Sequence, residues 1–230
     1  MNELNLLGFG PYFEEQLADS EAIPARIAGE HRESYIVWSG AGEGFARLSG
    51  RLMRALDDEA FPGVGDWVTL KTVPIPGHTA VIDRILARCT VFTRGAAGGE
   101  ARRQVIAANV DTVFIVSGLD ADYNVHRIQR YAARVRASGA QPMVILNKTD
   151  VCNDVGTRVA EVGRAVLGLD ILTTSAALGR GLERIVARLA PGITAAFVGS
   201  SGAGKSTLIN ALLGEERLRI GTIRSSDGRG

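Results

Sequence analysis

Apolar positions change their texture part-way along the chain. From about Ala25 to Leu86 they come in short clusters rich in β-branched and aromatic residues, at Tyr35–Trp38, Phe45–Leu48, Trp67–Val73 and Thr79–Leu86. Such clusters predict strands. Gly40, Gly42, Gly44, Gly50, Pro62, Gly63 and Gly65 punctuate them, and Pro74, Pro76 and Gly77 make a further turn. Several short strands in so few residues predict a small all-β barrel like the OB-fold, with a plain β-meander as the alternative. A glycine-rich stretch, Arg94-Gly-Ala-Ala-Gly-Gly-Glu100, has too little apolar content to pack and reads as a flexible link.

Beyond it, wholly apolar runs alternate with amphipathic ones. Strands are predicted at Val113–Val116, Met143–Leu146, Ile171–Thr173 and Ile193–Val198. Between them, Val125, Ile128, Ala132 and Val135 share one helix face, as do Val155, Val159, Val162 and Val166. Leu182, Ile185, Val186 and Leu189 form a third face before Pro191, and Gly139 and Gly168 are stop signals after the first two. Apolar strands alternating with helices predict a mainly parallel sheet covered on both faces. The expected organisation is therefore a barrel with an N-terminal extension over residues 1–88, a link over 89–104 and an α/β domain over 105–230.

Composition changes this picture little. The 230 residues are 46% hydrophobic and 22% charged, an ordinary globular balance. There is no apolar run of about eighteen residues to span a membrane, and Met1 to Pro11 do not resemble a secretory signal. Cys89 and Cys152 stand far apart without metal-type spacing, which suits a reducing cytoplasm. Net charge is +1 but unevenly spread. Residues 1–88 carry eight basic against thirteen acidic side chains, and residues 119–230 carry fifteen against ten. The front part thus lacks the basic surface usual for nucleic-acid contact.

Three short motifs carry chemistry. Gly199-Ser-Ser-Gly-Ala-Gly-Lys-Ser206 fits the phosphate-loop pattern GxxxxGK(S/T), with an apolar strand before it and the helix-forming run Ser206–Leu213, closed by Gly214, after it. Glycines let the backbone wrap an anion so that the amides of Gly199, Ser200, Ser201, Gly202, Ala203 and Gly204 can point at it, and the helix start near Lys205 adds its positive end. Lys205 is the candidate catalytic group, reaching the β- and γ-phosphates. The Ser206 hydroxyl is the candidate Mg²⁺ ligand, with Thr207 beside it. Second, Asn147-Lys148-Thr149-Asp150 follows the strand Met143–Leu146, where sheets of this kind place ligand-reading loops. The Asp150 carboxylate can accept from guanine N1–H and the N2 amino group, whereas adenine offers neither donor. Asn147 can bridge the base region to the P-loop strand, and the Lys148 stem can lie over the ring. Third, Ser175-Ala176 follows the strand Ile171–Thr173, and a backbone N–H of this loop is expected to donate to guanine O6. Together these predict a GTP or GDP site. The base-side motifs precede the phosphate loop, the reverse of the common GTPase order.

With a barrel-like module in front and this reversed order, the chain resembles the circularly permuted ribosome small-subunit-dependent GTPase A family. Val64-Gly-Asp-Trp-Val68 is similar to its OB-fold signature, and Gln104-Val-Ile-Ala-Ala-Asn-Val-Asp111 to its entry into the GTPase domain. Leu208-Ile-Asn-Ala-Leu212 after the phosphate loop matches as well. The resemblance implies an OB-fold, a permuted GTPase domain and a C-terminal zinc-binding domain. It also implies GTP hydrolysis stimulated by the small ribosomal subunit and its rRNA. A cytoplasmic monomer without a membrane partner is expected. The family's threonine-rich switch, DxxG loop and zinc cluster have no counterpart here, so zinc ligands are not expected in this chain. Two other readings remain at this point: a P-loop ATPase with a chance Asn147–Asp150 motif, and a nucleotide-binding RNA-docking module that turns nothing over.

Overall fold

A computed structural model describes residues 3–17, 22–31, 34–57, 60–75, 77–95 and 103–215. Two compact units divide the chain. The first comprises Met1–Asp111 together with Pro191–Thr194, and the second Thr112–Ala190 with Ala195–Gly230.

The first unit opens with two single-turn helices, α1 (Glu3–Leu6) and α2 (Pro11–Glu14), followed by strands β1 (Ile23–His31), β2 (Ser34–Ser39) and β3 (Gly42–Leu48). A helix α3 (Gly50–Ala55) and strands β4 (Trp67–Leu70) and β5 (Ala80–Ile85) complete a closed barrel of order β1-β2-β3-β5-β4. Alternate residues point inward, as strand geometry requires, so Ala25, Ile27, Val37, Ala46, Val68, Leu70, Ala80 and Ile82 fill the interior. The barrel reading is met, although β1 starts earlier than the residue pattern suggested. Helix α3 lies where only turns were expected. Ser49 starts it by accepting from the Leu52 amide at 3.2 Å, a side-chain cap that holds a short helix. Outside the barrel, α1 and α2 bring Leu4, Phe9 and Phe13 against Trp67 and Leu86, with the Phe9 and Trp67 rings 4.7 Å apart.

The segment 89–104, expected to be a link, contributes strands instead. β6 (Val91–Gly95) pairs antiparallel with β7 (Arg103–Ala108), and residues 96–102 lie outside the described residues. The pairing draws on Val91, Thr93 and Val105, β-branched residues on either side of the glycine run.

The second unit is a parallel four-stranded sheet of order β10-β9-β8-β11, from β8 (Thr112–Gly118), β9 (Gln141–Asn147), β10 (Ile171–Thr173) and β11 (Ala195–Val198). Helices α4 (Val125–Ala137), α5 (Val155–Ala165), α6 (Glu183–Val186) and α7 (Lys205–Leu213) accompany it. Strand β8 is buried at every position, as expected of a central parallel strand. Asn124 caps α4 and Asp154 caps α5, each accepting an amide three residues on at 2.9 Å. Phe114, Val116, Ile145, Leu172, Ile185, Ala203 and Leu208 form the core. Strand β11 starts two residues later than expected. Asp111 and Thr194 bind each other instead, the Asp111 amide donating to the Thr194 carbonyl at 2.9 Å.

Candidate functional site

Because the four strands of the second unit run parallel, their carboxyl ends share one edge, and the loops following them gather there. After β11 the chain turns through Gly199, Gly202 and Gly204, all at positive φ, into α7. Two of these positions admit no side chain. A Cβ at Gly199 would lie 2.2 Å from the Val116 carbonyl oxygen, and one at Gly204 would lie 2.3 Å from Asn147 Nδ2. Helix α7 continues without interruption, its Leu208 amide donating to Gly204 O at 2.9 Å. Ser200 and Ser201 form the outer curve, and Ala203 is fully buried beneath it.

Lys205 folds back over this curve, its Nζ donating to the carbonyls of Gly199 at 2.9 Å and Ser200 at 2.7 Å. Partial burial pushes the Lys205 ammonium below its ordinary value, and the charge of Asp122 opposes the shift. Ser206 and Thr207, in the first turn of α7, are half-buried, and the Ser206 hydroxyl makes no hydrogen bond among the described residues. A single hydroxyl at the first helical turn fits Mg²⁺ of the phosphate-bound kind, which takes its other ligands from phosphates and water.

The base-side loops meet the glycine loop at one side chain. Asn147, at the end of β9, is 2% exposed. Its Nδ2 donates to Ala203 O at 3.0 Å, and its Oδ1 accepts from Thr174 Oγ1 at 3.1 Å and from the Ala176 amide at 3.0 Å. One amide thus ties the loops after β9, β10 and β11 together. Lys148 follows in the left-handed region with φ 64°, an uncommon place for a lysine. That turn directs the chain into a short 3₁₀ turn, Thr149–Val151, where the Thr149 amide donates to Thr174 O at 3.1 Å.

Asp150 is exposed and accepts from Ser175 Oγ at 2.5 Å. That bond, followed by one from its own backbone amide, holds its carboxyl below the usual carboxylate range and keeps it an acceptor. The amides of Ser175 and Ala176 are both engaged, with Arg180 O at 3.1 Å and with Asn147 Oδ1. The expected amide donor for a base oxygen is therefore already occupied in this geometry, and a base would have to compete with Asn147 for it.

Loop 118–124, after β8, joins the same edge without having been anticipated. Asp120 binds Lys148, and Asp122 binds both Ser200 and Arg127. A Gly118-x-Asp-x-Asp run at the end of an apolar strand was its only trace in the sequence.

A parallel sheet whose glycine loop enters a helix at the strand ends, with base-side loops earlier in the chain, defines a circularly permuted P-loop GTPase fold. Solved structures share it. YjeQ from Thermotoga maritima aligns at a TM-score of 0.68 with 24% identity, covering 83% of this chain and 65% of that one. YloQ, described as a circularly permuted GTPase, aligns at 0.62 with 23% identity, covering 84% of this chain and 65% of that one. By sequence, residues 85–230 match the RsgA GTPase family. The small ribosomal subunit biogenesis GTPase RsgA of Opitutus terrae is 42% identical over 99% of the chain, which spans 65% of that protein. RsgA 2 of Lactiplantibacillus plantarum, described by the same words, is 43% identical over 90% of the chain, which spans 58% of it. The chain belongs to the RsgA GTPase family, and it spans less than two thirds of the length of these relatives.

Proposed function

We propose that this chain binds GTP and GDP at the carboxyl edge of the second unit's sheet. As part of a protein of its relatives' length, it would hydrolyse GTP during assembly of the small ribosomal subunit. The observation that carries this reading is Asn147, whose amide joins the base-side loops to the phosphate loop although the chain visits them in reversed order. In this assignment the amides from Gly199 to Gly204 and the Lys205 ammonium hold the phosphates. Ser206 would contribute a hydroxyl to Mg²⁺, which would supply charge neutralisation to the bound phosphates. Lys205 would leave the two carbonyls it now touches and turn to the phosphates. Asp150, held ionised by Ser175, accepts from guanine N1–H and the N2 amino group, and the Lys148 stem covers the ring. The assigned organisation remains a barrel module over residues 1–88 that docks on rRNA of the small subunit, followed by the GTPase domain. The protein would act as a cytoplasmic monomer. Zinc has no assigned ligands in this chain.

The test is base discrimination. Asp150→Asn turns one acceptor into a donor, which matches xanthine's 2-oxo edge and mismatches guanine. The variant is expected to lose GDP affinity by about 100-fold and to gain xanthosine diphosphate affinity, since truncating a designed hydrogen-bond partner is strongly discriminating. Titration of fluorescent GDP, ADP and xanthosine analogues measures all three. Unchanged GDP affinity in the variant, or ADP binding as tight as GDP in the parent, refutes the guanine assignment.

A further inference from the structure

Loop 118–124 places two carboxylates beside a site built for an anion. Unpaired, they would repel a phosphate. Neither is unpaired. Asp120 Oδ2 lies 2.5 Å from Lys148 Nζ, and Asp122 receives Arg127 Nη1 at 2.8 and 2.9 Å on its two oxygens. Each acid also reaches one motif of the nucleotide site, Asp120 through Lys148 and Asp122 through the Ser200 hydroxyl, which donates to Asp122 Oδ2.

The loop itself is held from several sides. The Leu119 amide donates to Asn147 O at 2.9 Å, and the Asp122 amide donates to Asp120 Oδ1 at 3.3 Å. Tyr123 Oη donates to Glu161 of α5 at 3.0 Å, while Arg158 covers the Tyr123 ring at 4.7 Å. Asn124 then caps α4. A segment fixed at both ends by sheet and helices can hold its partners in turn. Burial pushes the Asp122 carboxyl up, but the hydrogen bonds from Ser200 and Arg127, with the charges of Arg127 and Lys148, outweigh it and leave the group below its ordinary value. The carboxylate is therefore a lasting acceptor for Ser200.

We propose that loop 118–124 is a bracket that positions the nucleotide site before nucleotide arrives, Asp122 setting the first turn of the P-loop through Ser200 and Asp120 setting Lys148 over the base. Both are positioning residues that need not touch nucleotide, and the inference rests on the guanine-nucleotide reading above. Its signature is energetic coupling. A residue that works through another loses its effect once that other is gone.

The experiment is a pair of double-mutant cycles read by titration of a fluorescent GDP analogue with Mg²⁺, with far-UV circular dichroism recorded on every variant. Asp122→Ala and Ser200→Ala should each weaken binding about tenfold, the scale of one hydrogen bond to a charged group. The double variant should be no weaker than the worse single one. Asp122→Asn, which keeps an oxygen for Ser200, should stay within about threefold of the parent. Asp120→Ala and Lys148→Ala should be coupled in the same way. Additive losses in either cycle overturn that half of the bracket. If Asp122→Ala does not fold, Ser200→Ala decides: parental affinity there overturns the P-loop half. Arg127→Ala reproducing the whole Asp122 effect, with Ser200→Ala silent, overturns it too, because Asp122 would then merely brace α4. Failure of the parent chain to bind the analogue refutes the nucleotide reading and the bracket with it. Tight parental binding with additive losses refutes the bracket alone.

Discussion

Removing the Asn147 side chain offers the sharpest test of how the site is assembled. Asn147→Ala deletes one donor and one acceptor that serve three partners: Ala203 O, Thr174 Oγ1 and the Ala176 amide. Each such bond contributes about 0.5–1.5 kcal/mol net, so about 3 kcal/mol of local stability should go. Because Asn147 is almost wholly buried, water has poor access to the orphaned groups, which favours the upper half of that range. Amide hydrogen exchange reads the loss where it occurs. Protection of the Ala176 amide, and of Thr174, which donates to Leu146 O at 2.9 Å, should fall by about 100-fold, since about 1.4 kcal/mol corresponds to tenfold. Strand β8, bonded independently to its neighbours, should keep its protection. Asn147→Asp keeps the acceptor but sets a carboxylate against Ala203 O, so it should be no better than alanine. Protection at Ala176 within threefold of the parent in the alanine variant would show that the loops are held by something other than this amide.

Other outcomes follow from single features. Asp66 is fully buried and accepts from Arg88 at 2.7 and 2.8 Å and from the Gly63 amide at 2.8 Å, so Asp66→Ala should cost about 3–5 kcal/mol. The chain's two tryptophans, Trp38 and Trp67, both lie in the first unit, and their fluorescence during urea unfolding measures that loss; an unchanged midpoint contradicts it. Gly199→Ala should abolish nucleotide binding and lower the melting temperature, because its Cβ would strike the backbone of β8, and parental binding would refute that geometry. Burial, then the hydrogen bond and charge of Glu161, push the Tyr123 hydroxyl up to about 12. The folded state thus favours protonated Tyr123, and its contribution to stability is complete below the unfolded value and fades as pH climbs toward the folded one. Absorbance titration at the tyrosinate band should lose its highest transition in Tyr123→Phe.

Much of the second unit was legible because its elements are locally encoded. Apolar runs mark β8 and β9, and the glycine loop with its following helix stands where the motif placed it. Where pairing is non-local, legibility failed. The ribbon of β6 and β7 was obscured by the glycine run between them, since partners on opposite sides of a loop leave no periodic trace. Helix α6 ends at Val186, although its apolar spacing continued to Leu189. The Arg188 and Leu189 amides donate to carbonyls only three residues back, at 2.9 Å each, so the last turn tightens before Pro191. Asp120 and Asp122 escaped notice for a different reason. Acidic loop residues are usually solvated, and only the folded loop shows which cations and hydroxyls they meet.

Closure of the β1-β2-β3-β5-β4 ring limits how other molecules can engage the first unit. An open sheet can recruit an extended peptide by offering it a row of free amides and carbonyls. In the ring every strand has a neighbour on each side over part of its length, so that generic, side-chain-blind route is narrowed to short stretches. Recognition through the ring then falls more to what projects from it, such as Trp38 and Phe45, 41% and 47% exposed on adjacent strands, and to the loops between strands. Such recognition can be altered one substitution at a time while the barrel's hydrogen-bond ladder stays intact.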